Sequence, residues 1–149
     1  MGQIMDLQAA TGVAGSVCEG LDALRGSAFW KLADDDLLTL AVVLERVGRL
    51  VYAAQVHLTG ELDTRRAWQQ HAATSTAALL RQNLCISPSD AAGRVRAARA
   101  VLPNDLPSGA QTPPDLPELA AALDAGTVGV EQIRTVVSTM DTPFRGNSY

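Results

Sequence analysis

The chain is poor in the residue types that most often carry chemistry. Of its 149 residues, two are cysteines, two are histidines and only 4% are aromatic. Cys18 and Cys85 have no partner at metal-binding spacing, which excludes a disulfide framework and a zinc cluster as predictions. No base lies beside either cysteine in the sequence, so we expect buried or half-buried thiols in a reducing cytoplasm.

Long apolar runs are also missing. None reaches the ~18 residues that a membrane-spanning helix needs, and the N-terminus lacks the basic segment and apolar core of a signal peptide. Hydrophobic residues nevertheless make up 47% of the chain, and the net charge is only −4. General disorder is therefore excluded, and we expect a cytoplasmic protein without membrane contact whose length suits one domain or part of one.

Composition and periodicity predict an all-α fold. Alanine and leucine supply 24 and 19 residues, whereas β-branched and aromatic types are sparse. Residues 1–33 form a weakly helical segment, because Gly12, Gly15 and Gly20 interrupt the helical spacing over residues 6–25. Residues 34–142 form the predicted helical domain, and residues 143–149 form an irregular tail without periodicity.

A long amphipathic helix is the clearest predicted element. It begins at the acidic run 34–36 and extends to about Arg66. Its apolar residues follow the seven-residue spacing of a supercoiling helix. This Leu37–Leu58 stripe consists of Leu37, Leu40, Leu44, Val47, Val51, Ala54 and Leu58. Because so long a helix cannot be buried alone, we expect the stripe to pack on a long partner helix from this chain or another.

A helix-turn-helix-like pair follows the long helix. The run 74–76 offers N-caps for a short helix that ends near Cys85, and Ser87-Pro88-Ser89-Asp90 is a clear start for a second helix to about Leu102. Only about three residues join the two helices, which is typical of that motif. A surface loop over 103–115 and two shorter helices, about 117–125 and 130–140, complete the prediction.

Charge is distributed unevenly along the chain. Residues 1–63 carry four basic and nine acidic residues, residues 64–100 carry six and one, and residues 101–149 carry two and six. A positive segment that coincides with a helix-turn-helix-like pair is typical of a module that contacts DNA phosphates. Arg65 and Arg66 belong to this segment, and its candidate phosphate contacts are Arg81, Arg94, Arg96 and Arg99.

The arginines also have a structural interpretation, in which they flank an apolar stripe and extend their charged groups into water. The second helix of the pair presents a buried stripe formed by Ala91, Val95, Ala98 and Leu102. The opposite face carries Ser89, Gly93, Ala97 and Ala100. These small residues allow close approach but offer almost no hydrogen bonds to base edges. We therefore expect non-specific rather than specific DNA contact, or another helix packed on this face.

Both histidines and both tryptophans are predicted to have structural roles. His57 and Glu61 have helical i, i+4 spacing, but two ligands are too few for a metal site, so we expect a surface pair. His71 is predicted to be a loop residue. Trp30 and Trp68 are expected to anchor the two ends of the long helix. No catalytic, cofactor-binding or metal-binding residue is predicted, and no small-molecule substrate is evident.

The most distinctive segment runs Leu-Pro-Glu-Leu-Ala-Ala-Ala-Leu-Asp-Ala-Gly over 116–126 and continues to Val-Glu-Gln-Ile over 130–133. Together with the long helix and the capped pair, it resembles the domain of unknown function 222, also called the 13E12 repeat family. The resemblance covers about residues 30–140. It implies a helical domain that is common in high-GC actinobacteria, includes members associated with mobile elements and often precedes an HNH nuclease domain.

The resemblance provides no catalytic residue. HNH chemistry needs a metal-binding histidine and a general-base histidine, and neither His57 nor His71 lies in such surroundings. The expected function is a non-catalytic helical module that in longer relatives assists a nuclease on DNA. The alternatives are a structural module that associates with itself through the Leu37–Leu58 stripe, or a truncated remnant without activity, since the family's helical domain normally continues beyond Pro143.

Overall fold

Helices dominate the fold of residues 5–141, which are the residues that the computed structural model describes. In chain order the elements are α1 (Leu7–Arg25), α2 (Asp34–Thr64), α3 (Thr76–Leu84), α4 (Pro88–Val101), β1 (Asn104–Asp105), β2 (Gln111–Thr112), α5 (Pro117–Asp124) and α6 (Val130–Asp141). Short 3-10 helices occupy Phe29–Lys31 and Ala67–His71. The all-α prediction is confirmed, while the tail predicted over 143–149 lies outside the described residues.

The chain divides into two compact units, the first ending at Ala41 and the second beginning at Val42. In the first unit, Asp6 caps α1 by accepting a hydrogen bond from the backbone N–H of Ala9 at 2.7 Å. No residue of α1 is buried. Trp30 is 82% exposed, with the Lys31 ammonium 5.1 Å from its ring centre. The prediction that Trp30 anchors the long helix is therefore wrong.

The core of the second unit joins α2, α4, α5 and α6. Its most completely buried large side chains are Val56 of α2, Leu123 of α5 and Ile133 of α6. A smaller cluster joins Leu80 of α3 to Ala91 and Val95 in the first half of α4. Every helix of this unit thus shares a buried cluster with α4, which is its central element.

Small residues allow α4 to be buried on most of its circumference. Ala91, Val95 and Ala98 are buried as predicted, and Gly93 and Ala97 on the opposite face are buried too. A Cβ atom on Gly93 would lie 3.0 Å from Nε of Arg134, a residue of α6. The small-residue face therefore holds another helix, which is one of the two alternatives that the sequence left open.

The long helix α2 does not bury the predicted stripe in this core. Its buried residues are Tyr52, Ala53, Val56 and Thr59, none of which belongs to the Leu37–Leu58 stripe. At 3.6 residues per turn, Val56 and Leu58 point about 200° apart. Leu58 is 64% exposed. Within this chain, this end of α2 packs through a face other than the predicted stripe, because the helix carries two apolar faces and the core uses the one that contains Val56.

The helix-turn-helix-like pair is present with the predicted caps. Ser75 Oγ accepts a hydrogen bond from the N–H of Ala78 at 3.1 Å, and Ser87 Oγ accepts one from the N–H of Asp90 at 3.0 Å. Three residues join the helices, and the first of them, Cys85, has a left-handed backbone with φ 53°. Cys85 and Cys18 are exposed, so the prediction of buried thiols is wrong.

The predicted surface loop contains a small antiparallel ladder. Asn104 pairs with Thr112 and Asp105 with Gln111, and the turn between them includes Gly109 with φ 81°. None of the helices described is both long and apolar enough to cross a bilayer.

Candidate nucleic-acid interface

Arg99, one of the predicted phosphate contacts, is bound within the fold. Its Nε donates to Oδ2 of Asp63 at 2.8 Å, and its Nη2 donates to Oδ1 at 3.1 Å. The Thr76 hydroxyl donates to the same carboxylate at 2.6 Å. Asp63 thereby joins α2, α3 and α4, and the Arg99 guanidinium holds the pKa of Asp63 below its usual range. The role of Arg99 is structural, although its side chain still reaches solvent.

Arg94 lies beside a second cluster of polar groups. It is half-buried, and its charge acts on Asp90 and on Tyr52. Asp90, the one acidic residue of segment 64–100, forms an ion pair with Arg134, whose guanidinium lowers the pKa of Asp90. The hydroxyl of Tyr52 is buried without a hydrogen-bond partner among the described residues, and burial raises its pKa.

Arg81 and Arg96 are the two predicted contacts that extend into water. Both are exposed, and neither forms an ion pair with any residue between 5 and 141. Arg81 lies in the last turn of α3. Arg96 lines a cleft of about 180 Å³ between α4 and α6, together with the hydroxyl-bearing side chains of Ser89 and Thr135. The guanidinium groups of Arg81 and Arg96 are therefore accessible to an anion in solvent.

The remaining arginines of segment 64–100 lie near the end of α2. Arg65 forms an ion pair with Glu61 one turn earlier. Arg66 is exposed, precedes the 3-10 helix Ala67–His71 and has a left-handed backbone with φ 50°. Of the six arginines in segment 64–100, Arg65 and Arg99 form ion pairs with carboxylates. The other four form none among the described residues: Arg66, Arg81, Arg94 and Arg96.

The surface of α4 that remains exposed is poorly suited to reading bases. Ser89, Arg96 and Arg99 are exposed, and Ala92 is half-buried. Base-specific recognition depends on hydrogen bonds and apolar contacts to the edges of bases, usually from several side chains on one face. With Arg99 bound to Asp63 and Asp90 bound to Arg134, the polar side chains left on this surface are Ser89, Arg96 and the half-buried Arg94. These side chains offer positive charge and one hydroxyl group rather than a set of contacts to base edges.

The histidines do not form the predicted pair. Nε2 of His57 lies 2.7 Å from Oδ1 of Asp124 in α5, while Glu61 binds Arg65. The expected His57–Glu61 contact is therefore wrong, and His57 instead links α2 to α5. His71 is exposed at the end of a 3-10 helix rather than in an open loop. Between residues 5 and 141, no three His, Cys, Asp or Glu side chains are grouped closely enough to hold a metal ion.

Sequence reasoning missed the residues that organise the site, chiefly Asp63 and Arg134. A signal for Asp63 exists, because it follows Tyr52, Val56 and Thr59 at helical spacing and so shares their face of α2. No comparable signal exists for Arg134, whose ion pair with Asp90 spans 44 residues of sequence.

Comparison with known proteins identifies the family. The model of the family described as "Domain of unknown function (DUF222)" matches residues 38–143, which is well over half of the chain. Searches of curated proteins and of solved structures gave no match. The matched range contains α3 to α6 and the distinctive 116–133 segment, so the resemblance found in the sequence is confirmed. The chain belongs to the DUF222 family.

Proposed function

We propose that this protein is a non-catalytic helical module that contacts the phosphate groups of DNA without reading its sequence. Arg81 and Arg96 make the contacts, and Arg66 and Arg94 add to the positive charge of segment 64–100. The observation that carries the proposal is that these four arginines form no ion pair among residues 5–141.

The pattern of ion pairs supports this function. Asp90 is the one carboxylate within segment 64–100, and it is neutralised by Arg134 from α6 rather than by an arginine of the segment. The positive charge on Arg81 and Arg96 therefore stays available to phosphates. Arginine binds phosphate groups through paired N–H donors, and the release of counterions from DNA favours binding.

Contact without sequence preference follows from the burial of α4. The Gly93 and Ala97 face, which a DNA-reading helix would present to bases, packs against α6 instead. Phosphate contacts fix the position of a protein on DNA but carry no sequence information directly. In relatives that continue into an HNH nuclease, as the family resemblance implies, such a module would hold DNA for the nuclease. The proposal assigns no catalytic residue to this chain, and DNA contact agrees with the cytoplasmic location that cysteine usage favours.

Fluorescence anisotropy of a labelled duplex tests the proposal. Binding by the purified chain is measured at several salt concentrations and compared with a variant that combines Arg81→Gln and Arg96→Gln. We expect the logarithm of the association constant to fall linearly with the logarithm of salt concentration. The slope should be shallower by about 2 in the variant, since each phosphate contact contributes about 0.9.

A matched control combines Arg25→Gln and Lys31→Gln. It removes the same charge from the first unit of the chain, so a loss of binding through net charge alone would affect both variants equally. Arg99 is left unchanged because its substitution would also break the contact with Asp63. The proposal is overturned if the wild type does not bind at low salt, or if the test and control variants bind alike.

A further inference from the structure

One side of α2 in the second unit is apolar and mostly exposed. It carries Val43, Val47, Val51, Ala54 and Leu58, which we call the outer stripe; Val47 is half-buried and the other four are exposed. Val43 is 54% exposed, Val51 41% and Leu58 64%. Isolated exposed apolar residues are normal on a protein surface, but a contiguous stripe at the spacing of one helix face is typical of an interaction site.

The core of the second unit already occupies the other side of the same helix. Tyr52 and Val56 are buried there in the cluster that α2 forms with α4, α5 and α6. Thr59 is buried on the same face of α2. Leu58 follows Val56 by two residues, and Val51 precedes Tyr52 by one, so the stripe turns away from that core. The buried face therefore accounts for the stability of the unit, and the outer stripe adds apolar surface that this core does not use.

Charges on this part of α2 are confined to the sides that contact the chain's own helices. Nε of Arg46 donates to the carbonyl of Ala125 at 3.4 Å, and Nη1 of Arg49 donates to the carbonyl of Thr127 at 3.3 Å. Glu45 forms an ion pair with Arg49. From Val43 to Leu58 the outer stripe itself holds no charged residue, so it offers nothing to a charged partner such as DNA.

The spacing of the apolar residues in α2 indicates which kind of partner the outer stripe would bind. Four residues of the outer stripe and the neighbouring half-buried Leu44 form a seam with a seven-residue repeat. Leu44, Val51 and Leu58 lie seven residues apart, and Val47 and Ala54 lie three beyond the first two of them. A seven-residue repeat keeps its seam facing a second helix that supercoils around it. Gly48 and Gln55 lie on one side of the seam, and a Cβ atom on Gly48 would meet nothing within 4 Å. Leu50 and His57 lie on the other side, where His57 is paired with Asp124 of α5. Among the α2 residues beside the seam from Val43 to Leu58, His57 is the one ionisable side chain, and Asp124 already pairs with it within the chain.

We propose that the outer stripe binds the outer stripe of a second copy of this chain, so that two α2 helices form a symmetric helical pair. A second copy supplies a helix of the same length and seven-residue repeat, and a two-fold axis places the same patch on both sides of the interface. The pairing is independent of DNA contact, because it uses a different face and different residues from Arg81 and Arg96.

Light scattering after size exclusion, over a range of protein concentrations, tests the pairing on the full chain. We expect the mass of two chains at high concentration. In the variant Val51→Glu, the two-fold axis brings two carboxylates into an apolar seam, so the dissociation constant should rise by at least about a hundredfold. The matched control is Val42→Glu, which places the same substitution at an exposed valine of α2 outside the stripe.

A second measurement and a second variant distinguish a loss of pairing from a loss of folding. Circular dichroism should show unchanged helix content in Val51→Glu, and Leu58→Ser, at a more exposed position, should weaken association in the same direction. A wild type with the mass of one chain at every concentration overturns the proposal. So does a mass that rises without limit, or a dimer that Val51→Glu leaves intact.

Discussion

Helices α1 and α4 are similar in composition but differ in how much of each helix is buried. Alanine and glycine are frequent in both: α1 contains four alanines and three glycines, and α4 contains five alanines and one glycine. No residue of α1 is buried, whereas six residues of α4 are. Richness in small residues therefore does not identify a buried helix. What separates the two helices is whether other elements approach closely enough to need small residues.

The contacts of individual glycines show the difference directly. A Cβ atom on Gly12 or Gly15 of α1 would meet nothing within 4 Å. A Cβ atom on Gly60 of α2 would lie 3.6 Å from Cβ of Ala98 and would collide with the end of Leu102. Small residues are a requirement of packing around α4, while in α1 they are neutral for packing and unfavourable for the helix.

The largest difference in stability between the two helices is expected when a small buried residue of α4 is replaced by a larger one. We expect Ala98→Leu to lower the free energy of unfolding by about 2–3 kcal/mol, because Ala98 is buried against α2 and a larger side chain forces its neighbours apart. Ala14→Leu in α1 should change it by less than about 0.5 kcal/mol. Urea unfolding measures both, and equal effects of the two substitutions would break the comparison.

Ion pairs provide the next comparison. We expect Asp63→Asn to cost about 1–2 kcal/mol, because Asp63 accepts charge-assisted hydrogen bonds from Arg99 and one from Thr76 in a partly buried position. Asp22→Asn in α1 breaks an exposed contact with Arg25 and should cost less than about 0.5 kcal/mol. A cost for Asp22→Asn as large as that for Asp63→Asn would mean that α1 is held in place as firmly as α4.

Acid should remove the effect of Asp63. Its pKa is lowered in the folded protein, so its contribution is complete above the unfolded value and is lost as the pH falls through the folded value. The difference in unfolding free energy between the wild type and Asp63→Asn should be constant from neutral pH to about pH 5 and narrow below about pH 4. A difference that widens in acid would contradict the assignment of Asp63 as the stabilising charge.

The smallest effect concerns helix propensity. We expect Gly15→Ala to stabilise α1 by up to about 1 kcal/mol, since the added methyl group enters open space. Gly93→Ala in α4 should bring no such gain, because the methyl group would lie 3.0 Å from Nε of Arg134. Amide hydrogen exchange within each helix measures the change. A gain at Gly93 equal to that at Gly15 would show that Arg134 moves aside freely.

The local part of the fold could be predicted from the sequence. Helix starts at Ser75 and Ser87 follow from side-chain capping and from Pro88 in the first turn, which depend only on neighbouring residues. The all-α class follows from composition and periodicity in the same way. Such signals lie within one turn of the helix that they define.

The choice between two apolar faces of α2 could not be predicted in this way. Val51 and Val56 are both apolar and both helically spaced, and only the residues that approach from α4 to α6 decide which is buried. The same holds for the candidate interface. Arg99 and Arg96 look equivalent in the sequence, but Asp63, 36 residues from Arg99, neutralises Arg99, whereas Arg96 forms no ion pair among residues 5–141.

The two apolar faces of α2 also matter while the chain is being made. The ribosome completes α2 before it has made α4, α5 or α6, so the Val56 face and the Leu58 face emerge together with nothing yet available to cover the first. At ordinary rates of elongation, the residues from α3 to α6 take roughly 3 to 13 seconds to follow. During that interval α2 carries two apolar faces, and the helices that cover the Val56 face in the folded chain are still incomplete.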